Sequence, residues 1–139
     1  MLLLDNSAWT RLLQGVVAEE RADAIAGSME AQEIAVCLPF LLEVGFSARS
    51  VADRKAHMTK LDELPRVGID NEVERLALKA QFELTEIGHH RLAPMDVMIA
   101  ACAHRAEAGV LHYDANYDIL AKRTSLVFDS EWLAPAGTL

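Results

Sequence analysis

The chain has 139 residues, 52% of them hydrophobic and 24% charged, which suits one domain with a real core and excludes a disordered segment. Its formal charge of −8 argues against a broad basic face for nucleic acid, because phosphate neutralisation normally draws on clustered Lys and Arg. It leaves room for a carboxylate cluster that works only when a cation neutralises it, with a basic groove beside it.

Met1-Leu2-Leu3-Leu4-Asp5 is an apolar run cut short by an acid. It has no basic lead and no length to span a bilayer, so no membrane partner is expected. The polar Asp5-Asn6-Ser7 stretch that follows can cap a helix carrying Trp9, Leu12 and Leu13, which gives strand, turn and helix. A second helix is expected from about Glu19 to Met29, with Ala22, Ile25, Ala26 and Met29 on one face. Ile34-Ala35-Val36-Cys37 then reads as a buried strand.

Pro39 opens a helix holding Leu42, Glu43 and Phe46. Val51, Met58, Leu61 and Leu64 mark another, stopped by Pro65, and Arg66 to Ile69 reads as a third strand. The clearest periodicity lies in 71–87, where Val73, Leu76, Ala77, Ala80, Leu84 and Ile87 recur at spacings of three and four before Gly88. Pro94 starts a helix that is apolar nearly all round through Val97-Met98-Ile99-Ala100-Ala101-Cys102-Ala103, as suits packing on a sheet. Gly109 ends it, Val110 to Tyr113 is a fourth strand, and Leu126-Val127-Phe128 is the expected fifth, after a short helix. Strands alternating with helices imply a mainly parallel α/β sheet covered on both faces.

No internal repeat or linker divides the chain, so residues 1–139 read as one domain. Cys37 and Cys102 sit in apolar stretches without metal or redox spacing. They read as core residues, and a reducing, cytoplasmic setting is expected.

Ligands of open parallel sheets gather outside the carboxyl ends of the strands, which singles out Asp5 and Asp114, each placed just after a strand. Two more acids stand in apolar surroundings: Glu43 within Phe40-Leu41-Leu42-Glu43-Val44, and Asp96 before Val97-Met98-Ile99. A charge on such a segment is costly unless paired or metal-bound. Taken singly, each acid has a structural explanation as a turn residue, a helix-dipole complement or an exposed helix position. The conjunction carries the argument. Two carboxylates about 4 Å apart repel by roughly 4 kcal/mol at an effective dielectric of 20, so a converged cluster protonates or recruits a cation. An all-oxygen set without His or Cys at ligand spacing favours Mg²⁺ or Mn²⁺ over zinc.

Four segments in this order, Leu3-Leu4-Asp5-Asn6-Ser7, Glu43 on its apolar helix, Ala93-Pro94-Met95-Asp96-Val97-Met98-Ile99-Ala100-Ala101 and His112-Tyr113-Asp114-Ala115-Asn116-Tyr117-Asp118-Ile119-Leu120, resemble the PIN-domain family over essentially the whole chain. The likeness is closest to its compact VapC-type toxins. The resemblance implies a single PIN domain over 1–139, folded as a three-layer α/β/α sandwich around a five-stranded parallel sheet. It also implies a metal-dependent endoribonuclease in which Asp5, Glu43, Asp96 and Asp114 are the catalytic acids. Asp5 and Asp96 are then direct metal ligands, with Glu43 and Asp114 bound directly or through water to Mg²⁺ or Mn²⁺.

Ser7 matches a small hydroxyl residue common in the family and is expected either to support a ligand or to cap the helix. Asn116 stands where many relatives carry a further Asp, so a second metal would be held less tightly. The implied partners are an RNA substrate, a cognate antitoxin that covers the site with a basic side chain, and a second copy in a homodimer. Two other readings stand beside this one: a PIN nuclease of RNA processing, and a PIN-like scaffold that binds RNA or protein without cutting. A phosphatase-like site is disfavoured because Asp5-Asn6-Ser7 lacks two aspartates two residues apart. Asp118 reads as a surface charge. His89-His90-Arg91, Lys122 and Arg123 read as solvated rather than as RNA contacts. Trp9, Phe40 and Phe46 read as core residues, or else as the lining of a groove for a partner's amphipathic helix.

Overall fold

The computed structural model describes every residue except His90, so that part of the His89-His90-Arg91 stretch lies outside the described residues. The elements run β1 (Leu2–Leu4), α1 (Asn6–Gln14), α2 (Glu19–Glu30), β2 (Ile34–Cys37), α3 (Leu38–Ser47), α4 (Val51–Leu61), β3 (Arg66–Val67), α5 (Asn71–Glu86), α6 (Pro94–Arg105), β4 (Gly109–His112), α7 (Asn116–Arg123) and β5 (Ser130–Trp132). Among the described residues no helix is long and apolar enough to cross a membrane.

The strands form one five-stranded sheet in the order β3-β2-β1-β4-β5, and every pairing is parallel. Leu3 pairs with Ala35 on one side and Val110 on the other, which puts β1 at the centre. All residues of β2 and β4 are buried. Since successive side chains of a strand point to opposite faces, both faces must be covered, and the three-layer α/β/α sandwich follows.

Local chemistry sets the element boundaries. Asp5 caps α1 by accepting the Ser7 N–H at 2.9 Å, and Gly15 closes that helix at φ 69°, a left-handed conformation that glycine adopts without a Cβ penalty. Asp70 caps α5 in the same way through Val73 N at 3.0 Å. Ala100, Ala101, Cys102 and Ala103 of α6 are all fully buried, which lets that helix lie close against the sheet. Gly109 opens β4 where a Cβ would stand 2.8 Å from both the Asp129 carbonyl oxygen and Leu2 Cδ2, so only glycine fits between β1 and the approach to β5.

The fifth strand is Ser130–Trp132 rather than Leu126–Phe128. The apolar run misleads because Leu126 is a buried plug while Val127 is 76% exposed, with its N–H bonded to His104 Nδ1. The true strand is half-buried along its length and is held by polar side chains. Asp118 is correspondingly not a plain surface charge. Its carboxylate accepts Ser130 Oγ at 2.7 Å and Trp132 Nε1 at 3.0 Å, tying α7 to β5. Burial raises its proton affinity, but these two bonds outweigh burial and hold its carboxyl below the usual carboxylate value.

The third strand is also shorter than expected, ending at Val67. Cys37 and Cys102 are buried and unbridged. His89, Arg91, Lys122 and Arg123 are exposed. The three aromatics divide: Phe40 is fully buried, Trp9 is 6% exposed, and Phe46 is 92% exposed.

Candidate active site

Strand order creates the crevice. From β1 the chain moves to β2 and β3 on one side, then returns to β4 on the other, so the switch point lies between β1 and β4. Asp5 leaves β1 there, its N–H bonded to Leu111 O at 3.0 Å in continuation of the ladder. Asp114 follows β4. Asp96 comes in from the first turn of α6 and Glu43 from the middle of α3.

Asp5 is 3% and Asp96 6% exposed, so both carboxylates are shielded from bulk water and rely on protein donors. Asp5 Oδ2 accepts both the N–H and the hydroxyl of Ser7. Ser7 Oγ in turn accepts Tyr113 N–H at 2.9 Å, which stitches the exit of β4 to Asp5. The capping of α1 is therefore done by Asp5 itself, and the Ser7 hydroxyl serves to hold Asp5. Asn116 spans two acids: its N–H donates to Asp114 Oδ1 at 2.9 Å and its Nδ2 to Asp96 Oδ2 at 3.2 Å. The amide thus acts on Asp96 through its nitrogen.

The charges report the convergence of the four acids. Glu43 is pushed up to about 7, first by burial and then by the negative charges of Asp5, Asp96 and Asp114. Asp96 is pushed up to about 6 by burial and by the charges of Asp5 and Asp114, against the hydrogen bonds from Asn116 and Tyr117, which pull the other way. Among the described residues no group of three or more His, Cys, Asp or Glu stands as a ready-made ligand set. Glu43 and Asp96 sense the charges of the other acids, and hydrogen bonds hold Asp5, Asp96 and Asp114 in place.

Two participants escape a sequence reading. Tyr117, fully buried, donates its hydroxyl to Asp5 Oδ1 at 2.7 Å, and its oxygen lies 3.3 Å from Asp96 Oδ1. Burial, and then the charges of Asp5 and Asp96, raise its phenol well above the usual value, so it stays a neutral donor. A tyrosine rather than phenylalanine at a core position of a short helix was the available signal, since a buried hydroxyl needs a partner.

His112 is also fully buried, and burial lowers its proton affinity. Its Nδ1 accepts Asp114 N–H at 3.1 Å, so in the neutral ring the proton sits on Nε2, which lies 2.7 Å from Ser130 Oγ. A continuous line of bonds therefore runs from the backbone of Asp114 through His112 and Ser130 to Asp118.

Away from the acids, α1, α2 and the end of α4 enclose an apolar groove of about 540 Å³ lined by Trp9, Leu12, Ile25, Met29, Leu61 and Leu64. Among the described residues, Trp9 Nε1 is a buried donor without an acceptor.

The family described as PIN domain matches residues 2–123. The chain belongs to the PIN-domain family. Ribonuclease VapC18 of Mycobacterium tuberculosis is 35% identical to this PIN domain, over 98% of this chain and 97% of that protein. Ribonuclease VapC51 of the same organism is 31% identical, over 99% and 96% respectively. Among solved structures, the DNA-bound VapBC of Salmonella typhimurium superposes with a TM-score of 0.75 at 18% identity, covering 96% of this chain and all of the matched chain. VapBC2 of Rickettsia felis, bound to a promoter DNA fragment, gives 0.69 at 16% identity over 94% of this chain. At those identities the structural likeness speaks for the fold, and the five-stranded parallel PIN architecture agrees with it.

Proposed function

We propose that this chain, acting as a single PIN domain over 1–139, is a metal-dependent endoribonuclease that hydrolyses RNA phosphodiester bonds as the toxin of a type II toxin–antitoxin pair. The observation that carries the reading is that Glu43 and Asp96, at the topological switch point, hold protons more readily than free carboxylates, first through burial and then through the charges of the neighbouring acids, Asp5 and Asp114 among them. Near full-length relatives named as ribonucleases supply the reaction class.

A hard divalent cation fits the chemistry of the donors. All four are carboxylates, and for two of them burial, and then the negative charge of their neighbours, raises proton affinity, a double cost that a bound cation would relieve. Asp5 and Asp96 are the residues that would hold Mg²⁺ or Mn²⁺ directly, with Glu43 and Asp114 bound directly or through water. When bound, such a cation supplies water activation and charge screening at the scissile phosphate. The chain's own work is positional: Ser7 fixes one oxygen of Asp5, Asn116 spaces Asp96 from Asp114, and His112 holds the backbone of Asp114.

The partners follow the same reading. A cognate antitoxin would place an apolar helix in the groove beside Trp9, with a basic side chain reaching the acids. A second copy would complete a homodimer, and the setting would be cytoplasmic, in keeping with two unbridged cysteines.

The test is incubation of partner-free protein with total RNA in Mg²⁺ or Mn²⁺, with new 5′ ends mapped beside an EDTA control and an Asp96→Asn variant. Discrete cuts lost in both controls are expected. Intact RNA with folded, cation-binding protein would instead favour a scaffold that binds without cutting.

A further inference from the structure

The carboxylates of Asp5 and Asp96 each turn one oxygen to the same atom. Asp5 Oδ2 is taken by Ser7 and Asp96 Oδ2 by Asn116. The two Oδ1 atoms lie 2.7 Å and 3.3 Å from the Tyr117 hydroxyl oxygen. Tyr117 is fully buried, and its ring rests against His112 with 4.8 Å between centroids, so its hydroxyl cannot turn to solvent.

A phenol carries one proton. That proton is shared unequally between two acceptors, Asp5 Oδ1 the nearer and Asp96 Oδ1 the further. The hydroxyl therefore meets the charge of two acids with a single partial positive charge. Phenylalanine would fill the same space without the desolvation cost of a buried hydroxyl, so the oxygen is explained by these two carboxylates.

We propose that the Tyr117 hydroxyl is the resident stand-in for the cation: it holds Asp5 and Asp96 together in the cation-free protein and yields when a divalent ion binds. This rests on the cation-dependent reading above and goes beyond it by assigning Tyr117 a role in setting how much cation fills the site. An interaction that favours the cation-free state weakens cation binding by the same factor.

Mn²⁺ titration calorimetry on the full chain, wild type against Tyr117→Phe, tests this together with thermal melting in EDTA. The variant is expected to bind Mn²⁺ about tenfold more tightly, since the bond it lacks no longer competes. It should also melt lower in EDTA, with the gap closing at saturating Mn²⁺. Equal affinity would make the hydroxyl a packing feature, and weaker binding would make it an orienting group for the ion. Either result overturns the inference while leaving the cation reading intact, whereas no Mn²⁺ binding by the wild type overturns both.

A second measurement needs no substitution at the site. The chain has only two tyrosines, so ¹³Cζ-labelled tyrosine gives two NMR lines, assigned with Tyr113→Phe. The Tyr117 line is expected to move in step with Mg²⁺ saturation, and a line that stays put while Mg²⁺ binds overturns the proposal.

Discussion

Glu43 and Asp96 hold protons more readily than free carboxylates, and the direction of that effect sets how the cation-free protein answers pH. Glu43 moves from 4.5 to about 7 on folding and Asp96 from 3.8 to about 6. Between those limits the folded chain binds more protons than the unfolded one, so their contribution to stability falls as pH rises through the window. Wild type and Glu43→Gln should therefore melt together in EDTA near about pH 4, below the unfolded value, and separate towards about pH 8, with the variant the more stable. An equal gap at both pH values would remove Glu43 from the cluster. The acids themselves were legible at this scale, because a carboxylate in an apolar segment is expensive and reads as such without a structure. Tyr117 and His112 were not. An aromatic in a short amphipathic helix or a buried strand looks like core until its polar atom is seen to meet a residue more than a hundred positions away, as Tyr117 meets Asp5.

The elements divide along the same line between local and distant causes. Helices with a clear apolar period, such as α5, and strands with continuous burial, such as β2 and β4, announce themselves through the hydrophobic pattern. The edge strand β5 does not, because beyond its ladder to β4 it is fastened by polar side chains, two hydrogen bonds to Asp118 among them, rather than by an apolar face. Asp118→Ala should cost about 1–3 kcal/mol, the range for removing an acceptor from two donors. The loss should be local: amide exchange at Ser130–Trp132 accelerates while β1 and β2 keep their protection. Uniform acceleration across the sheet would show that β5 is part of one cooperative unit with the centre. The same bonds connect to Asp114 through His112, so a modest fall in RNA cleavage is expected alongside.

For the whole molecule, large apolar side chains left in water include a row of three along α3, Leu38, Leu42 and Phe46, at 50%, 52% and 92% exposure, and a pair on α5, Leu78 and Phe82. Those of α3 recur every fourth residue and share a helix face, on the helix that also carries Glu43. If the proposed homodimer uses this face, Phe46→Glu should leave the melting temperature of dilute protein unchanged and halve the mass seen by light scattering. A persistent dimer would place the interface elsewhere. The sheet order has a further consequence, for synthesis. Neighbouring strands β1 and β4 lie far apart in sequence, so Asp5 leaves the ribosome first and must wait for Asp114 before the crevice between them exists. On the proposed reading, a chain cut short before Asp114 carries no nuclease, and the machinery that translates the protein is exposed to its activity only once synthesis has passed that residue.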